Sequence, residues 1–350
     1  MTSPTVTLPA PSGGWLRSPS FDAFFILGTV SIAVLSGTAV LLNPALFPLV
    51  LLIDIWFLGY HHVISTYTRL CFDKQSIQEN KFLIFYLPFI VLGTVAALGH
   101  GIGIWILTTI YLYWQWFHYT RQSWGVGQVY RGKEKHLVVE DERLLKAVFY
   151  LLPLWGILYR SWQSPETFLM LEVWTFPVPR WMVDVAGAIA IATIVLWAIG
   201  RVRMHRANAL PVAHTLYTIT HLAVFGIGYL LIENITVGWL VINIWHNAQY
   251  VLFVWIFNTK RFEGGESKDA KFLSKISQAK NWPYYFGFCI LLTTLLYTGI
   301  SAGEQWLAVI GLAPLIIVYQ TINFHHYIVD SMIWKVRKPK IKQTLGIDDH

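Results

Sequence analysis

Twelve histidines occur among the 350 residues, and eight of them sit inside long apolar stretches: His61, His62, His118, His214, His221, His246, His325 and His326. The other four, His100, His136, His205 and His350, fall in a turn, in polar loops and in the tail. An ionisable side chain within an apolar span is costly to keep and marks a functional position by default. Neutral imidazole is also the commonest metal ligand, because it binds without adding a buried charge. The spacings suit ligation. His214 and His221 stand two helical turns apart and share a face, whereas His61-His62 and His325-His326 are adjacent pairs whose members can flank one cavity. A single intramembrane histidine is more often a hydrogen-bonding residue between helices; eight of them on five helices point to a bound metal.

A ligating ring needs a partner for its second nitrogen, and partners stand close by in sequence. Asp54 lies seven residues before His61 and is expected to orient it. Asn247 adjoins His246, Tyr250 follows His246 by four, Gln122 follows His118 by four, and Asp330 follows His326 by four. His118 stands in the aromatic run Tyr113, Trp114, Trp116, Phe117 and Tyr119, and reads equally as an interfacial residue. Arg69 and Arg121 read as cytoplasmic anchors, with a lipid phosphate or substrate head group as the alternative.

These residues must be positioned by membrane helices. The chain is 55% hydrophobic and 13% charged, with a mean hydropathy of +0.50, about half the charge fraction of a soluble domain. Its 17 Trp suit a membrane interface, where an apolar ring keeps a polar edge in water. A span needs about 20 mainly apolar residues, and ten such stretches occur, at 21–42, 45–68, 82–99, 101–121, 145–162, 181–200, 207–231, 236–258, 283–301 and 304–333. The expected fold is an all-α, polytopic transmembrane bundle of about ten spans, N-in and C-in. Residues 1–19 form a flexible or surface-lying tail without the pattern of a cleavable signal, 20–334 a single transmembrane domain, and 335–350 a basic cytoplasmic tail. That orientation puts 24 of the 26 Lys and Arg on the cytoplasmic side, leaving Arg160 and Arg180 outside. The long loops 122–144 and 259–282 are then cytoplasmic, and the outer loop 163–180, with Trp174 and Phe176, dips into the interface. Counting 1.5 Å per residue inward from the nearest basic residue makes His118 the shallowest of the eight and His221 and His246 the deepest, all on the cytoplasmic side or just past the midplane. The expected location is the bacterial inner (plasma) membrane.

Composition also excludes. The net charge of +7 is spread in short runs between apolar segments, which argues for contact with membrane lipids and against nucleic acid. Cys71 and Cys289 support neither a disulfide framework nor a thiolate site. Gly125-Val126-Gly127 lacks the strand and third glycine of a dinucleotide site.

Three chemistries compete for the histidines. The pieces Gly59-Tyr60-His61-His62, Phe117-His118-Tyr119-Thr120-Arg121-Gln122, Trp245-His246-Asn247-Ala248-Gln249-Tyr250 and Phe324-His325-His326-Tyr327 with Asp330, beside the His214/His221 pair, form a constellation that resembles the integral-membrane histidine-cluster oxidases. In that group, which includes desaturases, hydroxylases and alkane monooxygenases, about eight histidines at the cytoplasmic side hold two irons. The resemblance rests on ligand type, number and side; the HxxxH and HxxHH spacings of the group are absent. It implies iron, two ions by analogy, a metal-dependent oxygenase, hydroxylase or desaturase, a lipid-soluble substrate and a separate reductase. An all-histidine mono-iron centre, as in membrane carotenoid-cleaving oxygenases, fits about as well. The second chemistry is a redox protein with haem b, held by two axial histidines such as His221 and His246, or with copper. The third is a proton- or metal-coupled transporter, for which the outer half lacks a continuous polar route.

Overall fold

The computed structural model describes residues 14–134, 141–309 and 314–347. Apart from a hairpin of Thr167–Phe168 with Leu171–Glu172, the regular secondary structure among the described residues is helical. The long helices are α1 (Pro19–Leu42), α2 (Pro44–Leu70), α3 (Phe82–Gly101), α4 (Ile104–Lys133), α5 (Glu142–Gln163), α6 (Arg180–Arg206), α7 (212–231), α8 (Ile235–Arg261), α9 (Trp282–Val309) and α10 (Pro314–Ile333). Six stretches, α1, α2, α3, α6, α8 and Ala279–Gly303, are long and apolar enough to cross a membrane. The chain is an integral membrane protein. Leu35, Phe89 and Leu196 project from α1, α3 and α6 at 60% exposure or more, a placement that lipid tolerates and water penalises.

Local chemistry sets the breaks. Asn43 ends α1, and its side chain accepts from Ala45 N as Pro44 opens the next helix. Gly103 supplies a φ of 131° between α3 and α4, a conformation that favours glycine. The short turn between α7 and α8 is held by Arg160, whose guanidinium is wholly buried and donates to the carbonyls of Gly228, Ile232 and Glu233. Those groups are the orphan acceptors of a helix end. Close approach here depends on glycine: a Cβ on Gly238 would meet the Gly228 carbonyl oxygen at 2.0 Å.

Helix α8 is the hub. Nine-tenths of its apolar window is buried (89%), against 11–33% for the other five candidate spans. Trp239 and Trp245 fill the space around it. Its polar residues Asn243, His246, Asn247 and Tyr250 therefore face protein on every side.

Several expectations shift. The loop expected from 122 is helical as far as Lys133, because α4 continues for 30 residues. The break expected between the stretches 283–301 and 304–333 is helical as well, within α9. Residues 14–18 pack onto the bundle: Leu16 is buried, Arg17 lies 4.4 Å over the Trp255 ring, and the Leu16, Arg17 and Ser18 amides donate to Asp22. The rest of the expected N-terminal tail, 1–13, lies outside the described residues. After α10, the helix Pro339–Leu345 buries Ile341 and Leu345, so this part of the basic tail is docked. In the segment after α5, Phe168 is buried against Tyr111 and Trp239.

Candidate metal centre

Four helices deliver one histidine each to a common point: His62 from α2, His118 from α4, His246 from α8 and His326 from α10. Their ring centroids lie 4.4 Å (His62–His326), 4.8 Å (His62–His246), 5.0 Å (His118–His246) and 5.2 Å (His118–His326) apart. All four are buried, as is Asp330. Nitrogens of His62, His118 and His326 and an Asp330 oxygen all fall within 4.8 Å of one another. A metal ion accepts a donor set of this composition.

Each helix brings a polar side chain one turn beyond its histidine. These are Thr66 after His62, Gln122 after His118, Tyr250 after His246 and Asp330 after His326, at the i, i+4 spacing that shares a helix face. Helix α2 carries one further device. A π turn over Asp54–Gly59 precedes the pair His61-His62. In a regular helix, eight residues would leave Asp54 and His62 about 80° apart; the wider turn removes part of that offset. Asp54 thereby reaches the same face of α8 as His62.

The hydrogen bonds fix where the protons lie. Asn243 Nδ2 donates to Asp54 Oδ2 at 2.5 Å and Asn247 Nδ2 donates to Asp54 Oδ1 at 3.4 Å. With its nitrogen so engaged, Asn247 presents Oδ1 to His62 Nδ1 at 2.9 Å. An amide oxygen only accepts, so His62 carries its proton on Nδ1 and a lone pair on Nε2. On the opposite side Tyr250 donates its single proton to Asp330 Oδ1 at 2.7 Å and accepts from Trp334 Nε1 at 2.8 Å. Thr66 Oγ1 lies 2.7 Å from the same phenol oxygen and 3.4 Å from Asp330 Oδ1. It also meets His326 Nδ1 at 3.1 Å, a contact that suits a proton on that nitrogen. The two Nε2 atoms face each other at 2.7 Å, a contact that needs a proton between them or a metal ion beside them.

Two further observations fit a cation. His118 Nε2 and His246 Nδ1 are buried with no hydrogen-bond partner, which is costly for a polar nitrogen. Asp330, 3.4 Å from His326 Nε2, forms no ion pair with Lys or Arg among the described residues, and a buried carboxylate needs countercharge. The rings are also fixed sideways. Tyr250 stacks on His62 at 3.8 Å and 5°, and Tyr327 stacks on His118 at 4.3 Å.

The other four sequence candidates stand apart from this point, among other partners. His61 meets the Phe57 carbonyl and lies edge-on to Phe286. His325 donates to the Leu83 carbonyl and accepts from Tyr67, tying α10 to α3 and α2. His221 bridges Ser123 and the Phe149 carbonyl, tying α7 to α4 and α5. His214 accepts from Arg201, while its backbone N–H donates to Glu134. The expected pairing of Asp54 with His61 is replaced by the route through Asn247 to His62, and Asn247 serves His62 rather than its neighbour His246. Gln122 reaches the His246 backbone carbonyl at 3.3 Å. Sequence reasoning missed Thr66, Asn243, Tyr327 and Trp334. Only Thr66 carried a signal, standing one turn after His62.

Helix length explains how His118, expected to be shallow, meets His246, expected to be deep. Arg121 is not the end of α4. His118 lies fifteen residues before Lys133 and His246 fifteen before Arg261, about 22 Å from each helix end.

Two cavities adjoin the centre. One, of about 30 Å³, is lined by His62, His246, His326, Tyr119 and Asn243, room on the scale of one water or ion. The other, of about 1080 Å³, is lined by His118, Tyr250 and Asp330 together with aromatic and basic side chains of α4 and the C-terminal segment. No family model, curated protein or solved structure matches the chain.

Proposed function

We propose that this protein is a membrane metalloenzyme, a non-haem iron oxygenase, hydroxylase or desaturase acting on a lipid-soluble substrate. The observation that carries the reading is the convergence of nitrogens of His62, His118 and His326 with an Asp330 oxygen, all buried and within 4.8 Å of one another. His62, His118, His326 and Asp330 would hold the metal, with His246 beside them. Histidine nitrogen and carboxylate oxygen together suit non-haem iron, and iron so bound supplies oxygen activation. The ligand atoms gather at one point, which favours one ion there over the pair suggested by the histidine-cluster oxidases. The haem alternative is not favoured, because His221, one of the axial candidates, has both ring nitrogens engaged.

The chain's own residues have definite tasks in this reading. Asn247 and Thr66 hold the two ligating rings in the Nδ1–H tautomer. Tyr250 orients His62 by stacking, holds Asp330 by its hydroxyl, and stands between the centre and the large cavity. The aromatic side chains of α4 exclude water from the approach. Ten spans with both termini in the cytoplasm is the topology we assign; ten long helices occupy the apolar intervals, and the 24-to-2 division of basic residues supports the orientation.

Metal analysis and an optical spectrum of the purified protein test the reading. Stoichiometric iron without a Soret band supports it. A Soret band supports haem instead, and a chain that takes up no metal refutes the proposal.

A further inference from the structure

The large cavity is lined by two chemically distinct sets of side chains. One is apolar, with Trp114, Phe117, Trp124, Phe253 and Ile328. Phe117 is 42% exposed on the flank of α4, so this side meets the lipid. The other set comprises Arg121, Arg131, Lys146, Lys335, Arg337 and Lys342, beside the carboxylates of Glu142 and Asp330. Glu142 is engaged by Arg131 at 3.4 Å, and Asp330 lies at the histidine end under the Tyr250 hydroxyl. Among the described residues Lys146, Lys335 and Arg337 form no ion pair. Like charges gathered around one cavity repel each other and raise the local concentration of anions. The general excess of cations on the cytoplasmic side accounts for their presence; it does not account for their convergence on a cavity that ends at a buried histidine–carboxylate group.

We infer that this cavity binds an amphiphile with an anionic head group, phosphate or carboxylate. Arg121, Lys335 and Arg337 hold the head by charge-assisted hydrogen bonds, and the apolar chain lies along the α4 aromatics with its body directed toward His118. The inference deepens the oxygenase reading and rests on it for the fate of the ligand, whereas the binding itself needs no metal.

The test uses the full chain in nanodiscs of phosphatidylcholine, with tryptophan fluorescence as the readout, in metal-free and iron-loaded preparations. The probes are hexadecyl phosphate, hexadecanol and inorganic phosphate. The expected result is that hexadecyl phosphate binds at least about tenfold tighter than either other probe, roughly 1.4 kcal/mol. The double variant Lys335→Gln/Arg337→Gln should weaken it by a similar factor, while Lys271→Gln, exposed and away from the cavity, leaves it unchanged. Should the double variant not fold, raising the salt concentration on the unaltered protein should weaken hexadecyl phosphate but not hexadecanol. Equal binding of hexadecanol overturns the anionic head, and equal binding of inorganic phosphate overturns the amphiphile. An equal loss in Lys271→Gln reduces the effect to surface adsorption and overturns the site. A protein that loads iron but shows no preference among the probes refutes this inference alone. One that prefers hexadecyl phosphate but never takes up iron refutes the oxygenase reading and keeps the cavity assignment.

Discussion

The account turns on proton placement at two imidazoles. In the proposed reading His62 and His326 serve as ligands because Asn247 and Thr66 stand where they can accept from their Nδ1 atoms, not because they are histidines in a membrane. Removing that acceptor by Asn247→Leu should weaken metal binding by about 10- to 100-fold while the chain stays folded, measured by competition with a chelator. Unchanged affinity would mean that the tautomer is set by something else. The same logic shows what a sequence can and cannot display at this scale. Eight buried histidines were legible because imidazole inside an apolar run is rare. Their division was not. His221 and His325 use both nitrogens to tether neighbouring helices, and nothing in their local sequence separates that role from ligation. Partners four residues away on the same helix, Tyr250 and Asp330, were visible by spacing. Asn243, three residues before His246 on α8, and Trp334, just past the end of α10, were not, because their partners Asp54 and Tyr250 lie on other helices.

Helix ends were the least readable feature, and they misplaced His118. Basic residues mark where a chain meets water, but Arg121 and Arg131 both lie on one continuous helix. Two predictions belong to the helices. Gly238→Ala would drive a methyl group into the Gly228 carbonyl where α7 and α8 meet. The overpacking should cost about 3 kcal/mol, seen as a lower thermal midpoint; an unchanged midpoint would show that the helices separate freely. At the end of α2, Asp73 caps the short helix Lys74–Glu79 and pairs with Arg261 at 3.0 Å. Burial pushes the Asp73 carboxyl up, yet its bonds from Ser76 and Arg261 outweigh that and hold it below its ordinary value of 3.8. A depressed carboxylate contributes stability above its unfolded pKa, and the contribution is lost as pH falls through the folded value. Asp73→Asn should therefore lower the midpoint at pH 7, and the difference should vanish as the pH is taken well below 3.8. A gap that persists in acid would assign the loss to packing instead.

At the scale of the molecule, the membrane class, the apolar intervals and the helical architecture were all present in composition and periodicity. The hub position of α8 was not, since its window has the lowest mean hydropathy of the six candidate spans, 1.4, and only packing reveals that it is the most enclosed. Orientation is tested directly by cysteine labelling in a cysteine-free background. Ser267→Cys should react only from the cytoplasmic side and Glu172→Cys only from the opposite side; reaction of both from one side would contradict the topology. The central claim is that one cluster, formed by α2, α4, α8 and α10, holds a metal ion. The measurement that tests it most directly is iron content across four variants of the purified chain. His62→Ala and His326→Ala should lose the ion, whereas His221→Gln and His325→Gln should keep it at about one per chain. Retention of full iron in His62→Ala and His326→Ala, or loss confined to the His221 and His325 variants, would contradict the account.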